Sequence, residues 1–320
     1  MNSVKIVFMG TPEFAVFSLE ALLDRGYDVV GVVTQPDRPK GRKRELAPTP
    51  VKAYALERGL PVLQPEKLRA PEGVAAVTAL SPDLIVTAAY GQILPKSVLE
   101  LPRFGCINVH GSLLPRYRGG APIQRSIIDG EKKTGVTLMY MAEGLDTGDM
   151  ISKVEVPIEN EDTAGSMFGK LSEAGAALLV EWLPRILDGS AGRTPQNGDE
   201  ATYAPNLSRD DERLDWNEPS RRLFDRVRGL NPMAGGFTTL NGEVFKIWGA
   251  RVPTADDAKL SAASAALPPG TVLESGANGI RVRTGDGSLV LTEVQPAGKK
   301  ALAAAEFAKG ARLTTETRLG

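Results

Sequence analysis

A chain of 320 residues is long enough for two domains, each with its own core. Its apolar content of 42 % and charged content of 24 % are ordinary for a globular protein, and a net charge of −1 gives no global attraction to nucleic acid, so any such attraction must be local. A single cysteine, Cys106, and a single histidine, His110, exclude an internal disulfide and a His/Cys metal site, and nothing suggests a carboxylate metal site. The first residues run into a strand, without a signal-like apolar segment, and no apolar run is long enough for a bilayer. A cytoplasmic setting with no membrane partner is expected.

Residues 4–9 form a short β-rich run. Gly10, Thr11, Pro12 and Glu13 then open a helix, with Thr11 suited to the N-cap and Pro12 to the first helical position. Phe14, Leu19, Leu22 and Leu23 fall near helical spacing, Gly26 ends the helix, and residues 28–34 are the next strand. This βαβ unit favours a parallel sheet. Apolar strands follow at 60–63, 84–88 and 106–110, separated by helices, and β-rich runs at 134–141 and 150–158 extend the sheet. Residues 164–187 read as one amphipathic helix, with Met167, Leu171, Leu178, Leu179, Trp182 and Ile186 on its buried side. Residues 189–207 are polar, contain Gly, Pro and Asn, and lack a clear period, which reads as an interdomain linker between 1–188 and 208–320. A helix at 219–230 precedes short strands at 236–240, 243–250, 270–274, 279–284 and 288–294, the pattern of a small closed or half-closed barrel. Residues 255–269, rich in Ala, Ser and Pro, are expected to form a mobile loop within it.

The chemistry centres on His110, because histidine is the usual choice for general acid–base work near neutral pH. In a strand, Asn108 and His110 face the same way, and past Gly111 the chain turns. The pair therefore stands at a strand's C-terminal end, where open α/β sheets bind ligands. A lone histidine is commonly structural, but the turn Gly144-Leu145-Asp146-Thr147-Gly148-Asp149 offers carboxylates that could fold back to the same edge. On spacing alone Asp146 reads as a loop carboxylate or an Asx-turn residue rather than a partner of His110. The first turn lacks Gly-x-Gly-x-x-Gly, which argues against a dinucleotide enzyme. Phe14 suits the core or the cover of an aromatic ligand. Arg38, Lys40, Arg42, Lys43 and Arg44 follow the second strand, as a solvated loop or as a basic finger that grips phosphates. Pro36, Pro39 and Gly41 favour irregular backbone there. Arg221, Arg222, Arg226, Arg228, Arg281, Arg283, Lys299 and Lys300 either share a face that holds an RNA backbone or are scattered over an ordinary exterior.

Taken together, Gly10-Thr11-Pro12-Glu13-Phe14, Gln35-Pro36-Asp37-Arg38-Pro39, Ala89-Tyr90-Gly91, the run Asn108-Val109-His110-Gly111-Ser112-Leu113-Leu114-Pro115-Arg116-Tyr117-Arg118-Gly119, Gly144-Leu145-Asp146-Thr147-Gly148-Asp149-Met150 and Gln295-Pro296-Ala297-Gly298-Lys299-Lys300 resemble the bacterial methionyl-tRNA formyltransferase family. The resemblance spans both expected domains in order. It implies an α/β fold, with a Rossmann-like formyltransferase domain over 1–188 and a C-terminal OB-like β-barrel that binds tRNA over 208–320. It implies 10-formyltetrahydrofolate as co-substrate, no tightly bound cofactor or metal, and initiator methionyl-tRNA as acceptor. Position by position, Asn108, His110 and Asp146 become the catalytic residues. Phe14, Ala88, Tyr90, Gly91, Ile93, Ser112, Leu113, Leu114 and Pro115 become the folate site. Arg38, Lys40, Arg42, Lys43, Arg44, Lys299 and Lys300 become tRNA contacts. The chain departs from the family in Tyr117, where Trp is common, and in Gly120, where Ala is. A sugar-nucleotide formyltransferase or a formyltetrahydrofolate hydrolase could keep the same trio, but neither needs the basic loop or the second domain. A monomer is expected.

Overall fold

Strand β1 (Lys5–Gly10) is buried at every position after Lys5, as befits a central parallel strand covered on both faces. The structure, a computed structural model, describes residues 3–40, 45–252, 254 and 265–320. It divides into two compact units, one of residues 1–122, 133–157 and 168–205, the other of residues 123–132, 158–167 and 206–320.

In chain order β1 is followed by α1 (Glu13–Asp24), β2 (Asp28–Val33), β3 (Arg38–Lys40), β4 (Glu45–Ala47), α2 (Pro50–Glu57), β5 (Val62–Leu63), α3 (Pro71–Ala79), β6 (Leu84–Ala88), α4 (Lys96–Leu99), β7 (Cys106–His110), α5 (Pro122–Ile128), β8 (Lys133–Tyr140), β9 (Met150–Pro157) and α6 (Ala164–Leu187). One sheet of seven strands runs β5-β2-β1-β6-β7-β8-β9. Neighbours are parallel from β5 through β7, and β8 and β9 then join antiparallel. The order of the strands reverses between β1 and β6, which makes a crevice at their C-terminal ends. Thr11 reaches across it. The N-cap expected of Thr11 is not formed, because α1 starts one turn-residue later, after Pro12. The Thr11 hydroxyl donates instead to the Tyr90 carbonyl at 2.8 Å and accepts the Gln35 N–H at 3.3 Å.

Val7, Met9, Val33, Val77, Ile85, Leu94, Val98 and Cys106 close one core of this unit. Burial pushes the Cys106 thiol up to about 12, and its Sγ lies 3.6 Å from the Val98 carbonyl as a weak donor. The hairpin of β3 and β4 replaces the irregular backbone expected around Pro39, which pairs with Leu46 in a two-stranded ladder. Proline is tolerated there because such a strand has an unpaired side.

The second unit holds α7 (Ser220–Leu230), β10 (Gly236–Leu240), β11 (Glu243–Arg251), β12 (Val272–Gly276), β13 (Gly279–Arg283), β14 (Ser288–Gln295), β15 (Leu302–Ala303) and α8 (Ala304–Gly310). Its sheet is antiparallel, in the order β10-β11-β14-β13-β12, with β15 on β14. Trp216, Leu223, Phe245, Ile247, Val282, Leu289 and Leu291 form its core. The residues at 317–320 touch both flanks of the sheet: Gly320 N–H donates to Thr239 at 3.1 Å, and Leu319 N–H donates to Gly270 at 2.9 Å. Of the loop expected at 255–269, residues 255–264 lie outside the described residues.

Two outcomes test this packing. Cys106 is expected to resist iodoacetamide in the folded protein and to react once denatured, read by mass spectrometry, because a buried thiol that stays protonated is not a nucleophile. The second concerns Arg125, which forms a bidentate pair with Asp211 at 2.7 and 2.9 Å inside the second unit and holds that carboxyl well below its usual range. A carboxylate whose pKa is lowered by folding stabilises the fold above its unfolded pKa of about 3.9, and that stability is lost as pH falls further. The melting-temperature gap between the wild type and Arg125→Met is therefore expected to shrink as pH drops from 5 towards about 2.

Candidate active site

Asn108 and His110 occupy alternate positions at the C-terminal end of β7, as the strand period requires. Thr87 stands opposite Asn108 on β6, and its hydroxyl donates to Asn108 Oδ1 at 2.9 Å, with the Ile107 carbonyl at 3.1 Å as a second acceptor. With Oδ1 engaged, the Nδ2 amide is the group that Asn108 has left to offer.

His110 is buried, and its Nε2 lies 3.1 Å from the Tyr117 carbonyl. A carbonyl can only accept, so Nε2 carries the proton and Nδ1 is the free nitrogen. Nδ1 stands 3.8 Å from Asp146 Oδ2. That is an ion-pair separation and too long for a direct hydrogen bond. Asp146 Oδ2 in turn accepts the Gly119 N–H at 2.8 Å. His110 and Asp146 thus come together from two distant stretches of sequence, and Asn108 shares the face of β7 that carries His110.

Backbone conformation sets this geometry. Tyr117 and Asp146 have φ of 60° and 50°, in the left-handed region that few non-glycine residues adopt. Tyr117 is held there by its N–H, which donates to Thr202 Oγ1 at 2.9 Å. Gly119 has φ of 121°, and a Cβ on it would stand 2.8 Å from the Ala204 carbonyl, so only glycine lets the loop lie this close. Thr87 and Thr202 lie outside every motif, and Tyr117 entered the motif reading only as a departure from the family pattern, with no sign of its carbonyl's role. Only the strand register could have flagged Thr87.

The residues expected to hold folate fall into two groups. Gly91 and Ile93 are exposed at the end of β6, Ile93 by 80 %. Among the described residues, no hydrogen bond engages the backbone groups of Gly91, Gln92 and Ile93. By contrast Phe14, Ala88 and Tyr90 are buried. Phe14 meets Phe168 edge-on at 6.4 Å, and Tyr90 packs into the core beside Leu94. Burial pushes the Tyr90 phenol up to about 12, and its hydroxyl has no partner among the described residues. Phe14 and Tyr90 are thus packed from within, with little side-chain surface left exposed. Ser112, Leu114 and Pro115 are also buried, and Leu113 is half-buried. Thr137 on β8 pins this run, accepting Leu114 N–H at 3.1 Å and donating to the Ser112 carbonyl at 2.7 Å.

Of the basic residues, Arg38 is exposed on β3, Lys40 ends that strand, and Arg42, Lys43 and Arg44 lie outside the described residues. Asp37 anchors the base of the hairpin. Hydrogen bonds from the Lys52 ammonium at 2.6 Å and the Gln64 amide at 2.7 Å hold its carboxyl below the usual range. Lys299 and Lys300 are exposed on the turn after β14. Of the arginines expected on an RNA-holding face, Arg222 is exposed, whereas three others are turned into ion pairs. Arg228 is buried against Asp225 at 2.7 Å, Arg281 is buried beside Glu274, and Arg226 pairs with Glu218 at 3.3 Å. They stabilise the unit and are not a free basic face.

The formyl transferase model matches residues 4–183, and the model for the formyl transferase C-terminal domain matches residues 206–312. The methionyl-tRNA formyltransferase of Bacillus licheniformis is 55 % identical over 317 residues, covering 99 % of this chain and 98 % of its own length. The solved structure of WlaRD, a sugar 3N-formyl transferase in the presence of dTDP and 5-N-formyl-THF, matches with a TM-score of 0.66 at 18 % identity, over 94 % of this chain and 100 % of that one. HypX from Aquifex aeolicus matches with a TM-score of 0.65 at 20 % identity, and this chain spans 49 % of its length while 98 % of this chain is covered. At those identities the two structures share the fold. The chain belongs to the formyl transferase family, and within it to the methionyl-tRNA formyltransferases.

Thr87→Val keeps the volume of the side chain and removes the bond to Asn108. It is expected to lower kcat for formyl transfer about tenfold by loosening the carboxamide. Steady-state kinetics beside a thermal melt checks this.

Proposed function

We propose that Asn108, His110 and Asp146 carry the transfer of a formyl group from 10-formyltetrahydrofolate to the free α-amino group of initiator methionyl-tRNA, for translation initiation. The observation that carries this reading is the convergence of a carboxamide, an imidazole and a carboxylate at the C-terminal end of β7, with Nδ1 of His110 facing Asp146 at 3.8 Å. It stands in a chain 55 % identical to a methionyl-tRNA formyltransferase.

The neutral amine attacks the formyl carbon, a C–N bond forms, and the carbonyl electron pair moves onto oxygen. Asn108 Nδ2 and a protonated His110 Nδ1 donate to that oxyanion. Such preorganised donors contribute about 3–4 kcal/mol each. The Asp146 carboxylate stabilises positive charge on the ring and receives the proton that the amine sheds. The intermediate collapses, the bond from carbon to N10 of the folate breaks with its electron pair on N10, and N10 takes up the proton. The folate is a co-substrate, and no metal or tightly bound cofactor enters any step.

The donor lies along Ala88 to Ile93 and Ser112 to Pro115, backed by Phe14 and Tyr90. The unengaged backbone of Gly91 to Ile93 supports this, since a pterin ring needs paired donors and acceptors. Arg38, Lys40, Arg42, Lys43, Arg44, Lys299 and Lys300 hold phosphates of the tRNA. Residues 1–188 form a Rossmann-like catalytic domain, 189–207 the connection, and 208–320 an OB-like barrel that binds tRNA. Contact of residues 317–320 with both flanks of the antiparallel sheet supports closure of that barrel. No helix among the described residues is long and apolar enough to cross a membrane. The protein acts as a cytoplasmic monomer.

His110→Ala is expected to lower turnover with 10-formyltetrahydrofolate and charged initiator tRNA by roughly a hundredfold or more, with tRNA affinity retained. Near-normal turnover removes His110 from the mechanism. Arg42→Ala is expected to raise KM for tRNA while folate binding is unchanged, measured by titration of each substrate. A parallel fall in folate affinity assigns the loop to the donor pocket.

A further inference from the structure

The segment after α6 carries polar groups that the catalytic proposal leaves unused. Thr194 and Met150 exchange both backbone bonds, at 2.8 and 2.9 Å, so the chain is laid against the start of β9. Gln196 follows. Its Nε2 donates to the Asp146 carbonyl at 2.7 Å and to the Gly148 carbonyl at 2.8 Å. Its Oε1 accepts from Arg118 Nε at 3.1 Å and Nη2 at 2.7 Å. A carboxamide has two donors and an acceptor with two lone pairs, and here every one is used.

The two ends of Gln196 hold different loops. Arg118 is buried and lies between Tyr117, whose carbonyl accepts the His110 Nε2–H, and Gly119, whose N–H donates to Asp146. Asp146 and Gly148 belong to the turn that carries the carboxylate. That turn is sensitive to its support. Asp146 sits in the left-handed region at φ of 50°, and a Cβ on Gly148 would stand 1.8 Å from the Tyr140 carbonyl, so the turn folds back onto the end of β8 without slack. Residues 184–205 also lie between the spans that the two family models match.

We infer that Gln196 is a positioning residue for formyl transfer, fixing the Asp146 turn to the Arg118 loop so that the carboxylate keeps its distance from His110 Nδ1. The inference rests on the reading of Asp146 as catalytic. Gln196→Glu separates the two ends: it keeps an acceptor for Arg118 and replaces the donor with a charge that faces two carbonyls.

The test compares kcat, KM for each substrate and melting temperature for the wild type, Gln196→Ala, Gln196→Glu, Asp146→Asn and the Asp146→Asn/Gln196→Ala double variant. Both Gln196 variants are expected to lower kcat by roughly 10- to 100-fold, with each KM within about twofold and the melting temperature retained. In the Asp146→Asn background, Gln196→Ala is expected to cost less than about twofold more, because residues that act through one another are not additive. Should Gln196→Ala fail to fold, Gln196→Glu carries the same expectation. A wild-type kcat in the Gln196 variants, or losses that multiply in the double variant, overturns the inference while the catalytic reading stands. Near-normal turnover of Asp146→Asn overturns both.

Discussion

The hydrogen bond from His110 Nε2 to the Tyr117 carbonyl decides what the rest of the site can do. A buried imidazole needs a partner for its N–H, and once Nε2 has one, the ring cannot turn without losing it. Nδ1 is then the nitrogen available for chemistry, and it faces Asp146. The bond asks in return that the Tyr117 carbonyl point into the site, which is why a bulky residue is held at φ of 60° with Thr202 on its N–H. Local backbone cost at Tyr117 and Asp146 is thus tied to one orientation of one ring.

The sheet explains why these residues meet here. β7 is the last strand of the parallel run, with β6 on one side and antiparallel β8 on the other. β6 ends beside Asn108 and supplies Thr87 to orient it. β8 runs the opposite way, so Thr137, paired with His110, lies where the chain leaves β7. Its hydroxyl guides Ser112 to Leu114 along the crevice. A parallel neighbour would end at the same edge and could not reach past it. The change of strand direction therefore gives the loop after His110 a wall.

Much of this was legible in the sequence, for definite reasons. Residues 106–110 alternate within an apolar strand, and 164–187 carry a long apolar stripe, so both elements fall where periodicity puts them. Asn108 and His110 follow from the strand period. Asp146 does not: its spacing suits a simple turn, and only the resemblance of the whole motif set brought it to His110. Thr11 looked like a helix cap because cap preference is local, whereas its bond to Tyr90 depends on a strand more than seventy positions away in sequence. The arginines at 226, 228 and 281 show the same limit. Their count is readable, but their pairing with Glu218, Asp225 and Glu274 is a matter of tertiary packing. Gln196 had no signal at all, since a polar, aperiodic stretch reads as a connection whichever of its side chains bond elsewhere.

That stretch has a bearing on when the protein becomes competent. All the strands of the larger sheet, and α6 with them, precede Thr194 in the chain. A nascent polypeptide that has emerged only as far as α6 already carries every strand of that sheet, yet it still lacks Thr202 behind Tyr117 and the Ala204 carbonyl against Gly119. The strands that carry His110 are therefore made before the residues that hold its loop in place. Assembly of the reactive centre is deferred until the ribosome has delivered the span that leads into the next half.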